Sequence, residues 1–374
     1  MAKHKHHPPV SAPRQDAPTD HEADAQELAD LALATARRKA TQEELARAVR
    51  RRLLDRHDDV LYDALELARG MADRTFGLLR ETIEEHSATV LLRREGAPDM
   101  EINAFAIPVF VRSTGGLTAG QAFQDQAAYA QVLDSLTKAG LESPKAKVVL
   151  VQHWYDLAEF DRITYSRLHE IVREAGAAMT DKKLRPVPLL ERSMSGWAPA
   201  GFEAGDAAVE LRFLLGFALK RADDPFYAVP KDEALADVYF EQRMASYRAW
   251  TQSIAPQVAR LLAPEGAGLE LNFLYQDLFY GAKAQALSEL FVLQLLSDVN
   301  GACEEAGIEP ASARASVRLV DDEGDAILLV EVDGPNAQRL ATAEKILEPD
   351  ADVAADIADL EDALATLGLS FSNP

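Results

Sequence analysis

The stretch Lys147-Val-Val-Leu-Val-Gln-His-Trp-Tyr-Asp156 has the composition of a β-strand that runs directly into a helix. A second stretch, Leu269-Glu-Leu-Asn-Phe-Leu-Tyr-Gln-Asp277, repeats this order of strand, aromatic side chain and aspartate, and a helical pattern again follows. Strands that alternate with helical patterns predict βα units. The two stretches therefore predict a mixed fold with two comparable strand ends, each followed by a helix.

The whole pattern predicts the α+β class: a helical N-terminal region is followed by two βα-containing subdomains, for which we consider a ferredoxin-like arrangement. At 374 residues the chain is long enough for two domains. Residues 180–207 are rich in Pro, Gly and Ser, which predicts a loop or linker. The predicted segments are a disordered tail (1–20), the helical region (21–87), a first subdomain (88–220), a second subdomain (232–347) and an acidic amphipathic helix (348–374).

Local patterns predict the individual elements. Apolar spacing indicates three N-terminal helices, and Thr41 with Glu44 forms the capping-box signature at the start of one of them. Period-two alternation and turn residues indicate strands. The other predicted elements are a hairpin over residues 89–107, a strand over 209–219, a long helix over 232–262, a hairpin over 315–332 and a helix over 335–347.

The composition is that of a soluble globular protein, with 48% hydrophobic and 27% charged residues. The single cysteine, Cys303, excludes an internal disulfide bond and a cysteine-based metal cluster, and it favours a reducing cytoplasm. The basic start lacks the apolar region of a secretory signal, and no apolar run is long enough to cross a bilayer. We therefore expect a cytoplasmic protein with no membrane partner, no cofactor and no metal site.

The net charge of −22 repels phosphate backbones, so we expect no nucleic-acid partner. The charge is uneven, since residues 37–56 are locally basic and residues 320–374 are strongly acidic. A nucleic-acid patch is one interpretation of the basic segment. The favoured interpretation is a solvated helix face that pairs with the acidic C-terminal segment.

Motifs with a specific chemistry are missing from the sequence. It contains no Walker-type phosphate loop, no His-Glu-x-x-His zinc pair and no Gly-x-Ser-x-Gly nucleophile elbow. The acidic residues from Asp321 to Asp325 predict a hairpin turn rather than a calcium loop, because Asp and Gly are common turn residues. The sequence therefore leans away from catalysis.

The two strand ends are the candidate ligand site. In α/β sheets ligands collect at the carboxyl ends of strands, and an aromatic wall beside a carboxylate suits a cationic or polar ring-bearing ligand. The alternative is that both aspartates are helix N-caps and the aromatic residues cover the sheet edge, and this is favoured because Asp is a good N-cap. The candidate residues are His153, Trp154, Tyr155, Asp156, Tyr275, Asp277 and Tyr280.

The last helix has an apolar stripe at helical spacing on an acidic background. The stripe could bind a partner, either another protein or a second copy of this chain, in the manner of a helix in a groove. The alternative, that it docks on its own chain, is favoured. The candidate partner-binding residues are Val353, Ile357, Leu360 and Leu364.

Several segments share their order with a known family. They are Phe105-Ala-Ile-Pro-Val-Phe-Val111, Arg212-Phe-Leu-Leu-Gly216 followed by Phe226, the helix around Trp250 leading to Leu261-Leu-Ala-Pro264, the strand at Leu269 and the turn Tyr275-Gln-Asp277. From about Asp24 to Val332 the chain thereby resembles an uncharacterised family of beta-proteobacterial proteins, known only as a domain of unknown function. The resemblance implies a soluble, cytoplasmic bacterial protein, and it assigns no activity and no catalytic residue.

These patterns together predict a non-catalytic protein that binds another protein or a small molecule. The second hypothesis is an enzyme or small-molecule sensor that uses the strand-end loops. In that case Asp156 or Asp277 supplies the carboxylate and the neighbouring aromatic residues supply the wall.

Overall fold

The structure, a computed structural model, describes residues 20–93, 95–113, 126–139, 145–181, 209–262, 269–322 and 325–371. The predicted tail, apart from its last residue, and almost all of the predicted linker lie outside these ranges. The described chain has the predicted α+β arrangement, with the helical region first. No helix within these ranges is long and apolar enough to cross a membrane.

Four helices form the N-terminal region, where the sequence predicts three. The helices are α1 (Asp20–Ala36), α2 (Gln42–Asp55), α3 (Asp58–Arg69) and α4 (Asp73–Ala88). The third predicted helix is divided because α3 ends at Arg69 and the chain is fully extended at Ala72 before α4 begins. The four helices share one core of aliphatic side chains and Phe76.

A six-stranded sheet follows. Its strands are β1 (Thr89–Leu92), β2 (Met100–Ser113), β3 (Lys147–Asp156), β4 (Val209–Arg221), β5 (Leu269–Phe273) and β6 (Asp277–Leu278). The longest strand, β2, pairs with β4 along one edge and with β1, β6 and β5 in succession along the other. β3 pairs with the far edge of β4, and every pair in this sheet is antiparallel.

The helices that connect these strands give the sheet its topology. They are α5 (Gln126–Ala139), α6 (Leu157–Asp161), α7 (Tyr165–Thr180), α8 (Glu233–Leu262) and α9 (Phe279–Ala306). In the strand order β5-β2-β4-β3, the units β2-α5-β3 and β4-α8-β5 interlock, because each unit has a strand of the other between its own two strands. This is the split βαβ connectivity of the ferredoxin-like fold.

The two strands that open the sequence analysis are thus equivalent strands of one sheet. β3 and β5 close the two interlocked units at opposite edges. The predicted division into subdomains over 88–220 and 232–347 therefore differs from the structure, since α8, β5 and β6 complete the sheet that β1 to β4 begin. The described residues form one ferredoxin-like unit, and it draws on both predicted segments.

Helices cover both faces of this sheet. On one face α5 and α8 bury Tyr129, Val132, Tyr247 and Trp250 against the strands. The opposite face is covered by α6, α7 and the first half of α9. Because the central strands are buried on both faces, they are continuous apolar runs rather than alternating ones.

A second sheet is built on the far half of α9. Its elements are β7 (Arg314–Asp322), β8 (Asp325–Asp333), β9 (Arg339–Ile346), α10 (Val353–Ala365) and β10 (Ser370–Phe371), in the strand order β10-β7-β8-β9. Leu295, Val299 and Cys303 of α9 lie in the core of this unit. With 28 residues, α9 is about 42 Å long and connects the two sheets.

The predicted helix over 335–347 is wrong. The chain turns at Gly334 and then forms β9, which pairs with β8. Residues 339–346 are rich in Leu, Ala, Glu and Lys, which favour helices, but propensity is a weak force beside pairing with a neighbouring strand.

The apolar stripe of the last helix lies inside the protein. Leu360 and Leu364 are 1% and 0% exposed in the core beneath the second sheet, and Val353 and Ile357 pack at its border. The predicted partner-binding surface is therefore occupied by the chain's own sheet. Burial of the stripe there removes the apolar area that would bind a partner.

The acidic C-terminal segment pairs with the N-terminal helices, though through other arginines than the sequence indicates. Arg69 contacts Glu348 at 3.1 Å and Arg80 contacts Asp350 at 2.8 Å. In the basic stretch, Arg50 pairs instead with Glu43, and Arg52 with Asp24.

Candidate functional site

The end of β3 is filled by its own side chains. Trp154 and Tyr155 are 4% and 2% exposed and belong to the cores on opposite faces of the sheet, as the alternation of a strand requires. Asp156 caps α6, since its Oδ1 accepts from the backbone N–H of Glu159 at 2.9 Å. The side chain of His153 lies outside the described part of the structure. The predicted wall is absent from this strand end as far as it is described.

The end of β5 is a network of polar groups, in which the buried Gln276 amide and Arg243 Nη2 have no hydrogen-bond partner among the described residues. Tyr227 Oη and the backbone N–H of Leu278 both donate to Asp277 Oδ1 at 2.7 Å. Burial and the adjacent Asp277 carboxylate raise the pKa of Tyr227 well above its usual value. A Cβ on Gly281 would lie 2.4 Å from Asp277 Oδ2, so this carboxylate needs a glycine beside it. Asp277 thus locks the start of α9 but is not its N-cap.

Tyr275 belongs to the same network. Its Oη accepts from Arg243 Nε at 2.9 Å, and its ring stands edge-on to Tyr247 with the centroids 4.9 Å apart. The Arg243 guanidinium also lies over the rings of Tyr227 and Tyr239, at 5.1 and 5.6 Å from their centroids. These contacts hold α8 against the end of β5.

The two strand ends do not share a cavity. Asp156 is aligned with Arg212 of β4, and Phe273 is aligned with Val109 of β2, so β2 and β4 separate them. Three strand spacings amount to about 14 Å. The two aspartates therefore cannot act on one small ligand.

Two of the predicted residues line open cavities. Tyr275 lines one of about 570 Å³ between α8 and β5. Tyr280 lies in a cavity of about 550 Å³ where α4, α9 and the segment from the end of β9 to the start of α10 meet, which we call the interdomain cleft. The side chains that decide its chemistry are Arg80, Glu84, Tyr165, Tyr280, Lys283, Phe291, Lys345, Asp350 and Asp356.

Two tyrosines stand side by side in the interdomain cleft. The ring centroids of Tyr165 and Tyr280 are 5.7 Å apart, and Ser87 Oγ lies 3.2 Å from Tyr280 Oη. Burial raises the pKa of both phenols, so both stay protonated at neutral pH. They offer an aromatic surface together with hydroxyl groups.

The cations of the interdomain cleft already have carboxylate partners. Lys283 contacts Asp161 at 2.7 Å and Lys345 contacts Asp356 at 2.6 Å. Arg80 pairs with Asp350, as described above. Each lysine or arginine that lines the cleft is thereby neutralised.

Glu84 is different. It is half-buried on α4, and its carboxyl group makes no hydrogen bond or ion pair with any residue in the described ranges. Burial raises the pKa of Glu84 from 4.5 to about 7, against the opposing pull of Arg80 and Lys283. A carboxyl group without a partner, in a cleft and titrating near neutrality, is typical of a functional site.

Sequence reasoning found only Tyr280 in this cleft, because the other residues come from distant segments. One local signal was available. Arg80, Glu84 and Ser87 recur at helical spacing on α4, directly beside the buried residues Leu79 and Ile83. Polar residues that border a core stripe in this way mark a face that meets another part of the protein.

Comparison of the chain with protein-family models, with curated proteins and with solved structures finds no match in any of the three. The chemistry of the interdomain cleft is therefore argued from its own residues. Fold alone would not decide it in any case, because one fold supports many functions.

Proposed function

We propose that this is a ligand-binding protein whose site is the interdomain cleft and whose ligand is a small organic amine. The observation that carries the proposal is Glu84, a carboxyl group that lacks a partner among the described residues. A ligand ammonium group beside it favours the ionised carboxylate and replaces the missing partner.

Charge supports an amine rather than an anion. The cleft's own cations are each paired with a carboxylate, which leaves Glu84 as the unmatched charge. The chain's net charge of −22 also attracts cations and repels anions.

Shape and apolar lining support a ligand with an organic body. A volume of about 550 Å³ lies within the usual range for small-molecule sites. Tyr165, Tyr280 and Phe291 supply aromatic surface, and aromatic rings attract cations as well as apolar groups.

The position of the cleft supports a sensing role. A ligand there touches three parts of the protein. They are α4 of the N-terminal region, α9, which connects the two sheets, and the start of α10 in the C-terminal unit. Binding stabilises whichever arrangement of these parts forms the site.

A second candidate function is acid–base catalysis on a bound amine. The pKa of Glu84 favours it, since a general acid or base works best when its pKa lies near the working pH. Mass spectrometry of a ligand incubated with the protein separates the two, because a binding protein returns the ligand unchanged.

Calorimetric titration with tyramine and putrescine tests the site, with 4-ethylphenol as the matched probe that lacks the amine of tyramine. We expect saturable binding of an amine, no binding of 4-ethylphenol and at least a tenfold loss of affinity in Glu84→Gln, the loss of a charged hydrogen bond. Glu81→Gln, an exposed change on the same helix, is the control. Equal affinity in Glu84→Gln and the wild type would contradict the proposal.

A further inference from the structure

A second cavity, of about 760 Å³, lies on the other side of α4, between α2, α7 and β1. Its basic side chains come from four separate parts of the chain, so no local sequence motif predicts the cavity. We call it the arginine cavity, and these side chains are Arg47, Arg50, His86, Arg93, His169 and Arg173.

One ring nitrogen of His169 is hydrogen-bonded and the other faces no partner among the described residues. It is 6% exposed, and its Nδ1 lies 2.8 Å from the carbonyl oxygen of His86. Because a carbonyl oxygen only accepts, Nδ1 carries the proton and Nε2 carries the lone pair. Nε2 has no hydrogen-bond partner among the described residues. Nε2 can therefore accept a hydrogen bond from a ligand in the cavity, or donate one once it has bound a proton.

Both imidazoles are uncharged at neutral pH. Burial lowers the pKa of His169, and burial together with Arg50 lowers the pKa of His86 to about 4. An anion placed among them opposes this effect and lets Nε2 of His169 bind a proton. An anion that binds here is therefore expected to bring a proton onto Nε2 of His169, which then donates a hydrogen bond to the anion.

The arginines exceed what the nearby carboxylates can match. Four arginines and three glutamates line the cavity. One of the glutamates, Glu101, is neutralised by the buried Lys220, so an excess of two positive charges remains. Arg93 and Arg173 make no ion pair with any residue that the structure describes. In a chain of net charge −22, such a concentration of unmatched cations points to an anion from outside.

The excess positive charge of the arginine cavity and the apolar residues beside it together indicate the kind of ligand. A phosphate monoester carries nearly two negative charges at neutral pH, which matches the excess, and arginine forks bind phosphate oxygens in pairs. Leu54 and Leu91 also line the cavity and are 53% and 44% exposed, so apolar surface is available beside the cations. We infer that the arginine cavity binds the phosphate group of a small phosphomonoester that carries an apolar group.

Calorimetric titration of the full chain with phenyl phosphate tests this inference, with inorganic phosphate and phenol as probes for each half of the ligand. We expect one-to-one binding of phenyl phosphate, weaker binding of inorganic phosphate and none of phenol. Arg93→Gln/Arg173→Gln should lose at least tenfold in affinity. Arg318→Gln, an exposed arginine on the second sheet, is the matched control and should bind normally.

His169→Ala provides a second measurement, since it removes Nε2 without changing the arginines. It should weaken phenyl phosphate binding and reduce the proton uptake measured by titration in buffers of different ionisation enthalpy. Unchanged melting temperatures would show that each variant is folded. Absence of saturable binding, or binding retained by the double arginine variant, would overturn the inference, and equal loss in Arg318→Gln would show diffuse attraction instead. Glu84→Gln should bind phenyl phosphate normally, which separates this site from the interdomain cleft.

Discussion

At the scale of single residues, Glu84 has the clearest consequence for stability. The Glu84 carboxyl group binds its proton more tightly in the folded protein than in the unfolded chain, because burial raises its pKa from 4.5 to about 7. The free energy of unfolding therefore falls as pH rises from about 4.5 to about 7.

We expect Glu84→Gln to remove this dependence, because glutamine does not ionise. The variant should be more stable than the wild type above pH 7, by up to about 3 kcal/mol, and equal to it below pH 4.5. Urea unfolding across this pH range measures the difference. The same gain at acid and neutral pH would show that the glutamine improves packing rather than relieving a buried charge.

For Asp156 we expect a structural effect without a change in ligand binding, because this residue caps α6. Asp156→Asn should keep the stability within a few tenths of a kcal/mol, whereas Asp156→Ala should cost about 1 kcal/mol. Denaturant midpoints measure both. Loss of amine binding in Asp156→Asn, with stability kept, would instead support a ligand role for this strand end.

At the scale of elements, α10 is held by its buried stripe. Leu364 is 0% exposed between α10 and the second sheet. Leu364→Ala should destabilise the protein by about 2–5 kcal/mol, the cost of a cavity in a packed core. Thermal unfolding measures the loss, and Leu367→Ala, at the border of the same core, should cost less. A Leu364→Ala variant as stable as the wild type would contradict this buried position and restore the partner-binding interpretation.

Elements whose signals are local could be predicted from sequence. Thr41 and Glu44 form the predicted capping box, with reciprocal hydrogen bonds of 3.2 and 2.8 Å. β9 could not be predicted from the sequence, because its residues favour a helix and it becomes a strand only by pairing with β8. The interlocked units were hidden for a related reason, since the pairing of β5 with β2 joins residues far apart in the chain.

The candidate site shows the same limit. Tyr280 was found because it follows a recognisable strand end. Glu84 and Tyr165 were missed because they meet it only through the packing of α4 and α7 around α9. A charge such as that of Glu84 becomes informative only when its burial and its missing partner are known.

At the scale of the whole molecule, α9 determines cooperativity. Its first half packs on the central sheet through Ala282 and Ala286, and its second half packs on the second sheet through Leu295 and Val299. We therefore expect the two units to unfold together, because they share one continuous helix.

Gln294→Pro tests this coupling, because Gln294 is an exposed residue between the two halves and proline breaks the helix there. Calorimetry should show one melting transition in the wild type and two in the variant. Gln294→Ala is the control and should keep one transition. A single transition at a lower temperature in Gln294→Pro would show that other contacts couple the units.

The outer edge of β2 has a consequence for synthesis on the ribosome. β1 covers the start of this edge at once, but β5 pairs with Val109–Ser113 only after Leu269 has been made. At translation rates of 5–20 residues per second, this last third of the strand waits roughly 8–30 s for its neighbour. An apolar edge left open so long can pair with other nascent chains. We therefore expect chaperones that bind apolar segments of nascent chains to stay on ribosomes making this protein until Leu269 has emerged, which ribosome profiling of chaperone-bound complexes would measure.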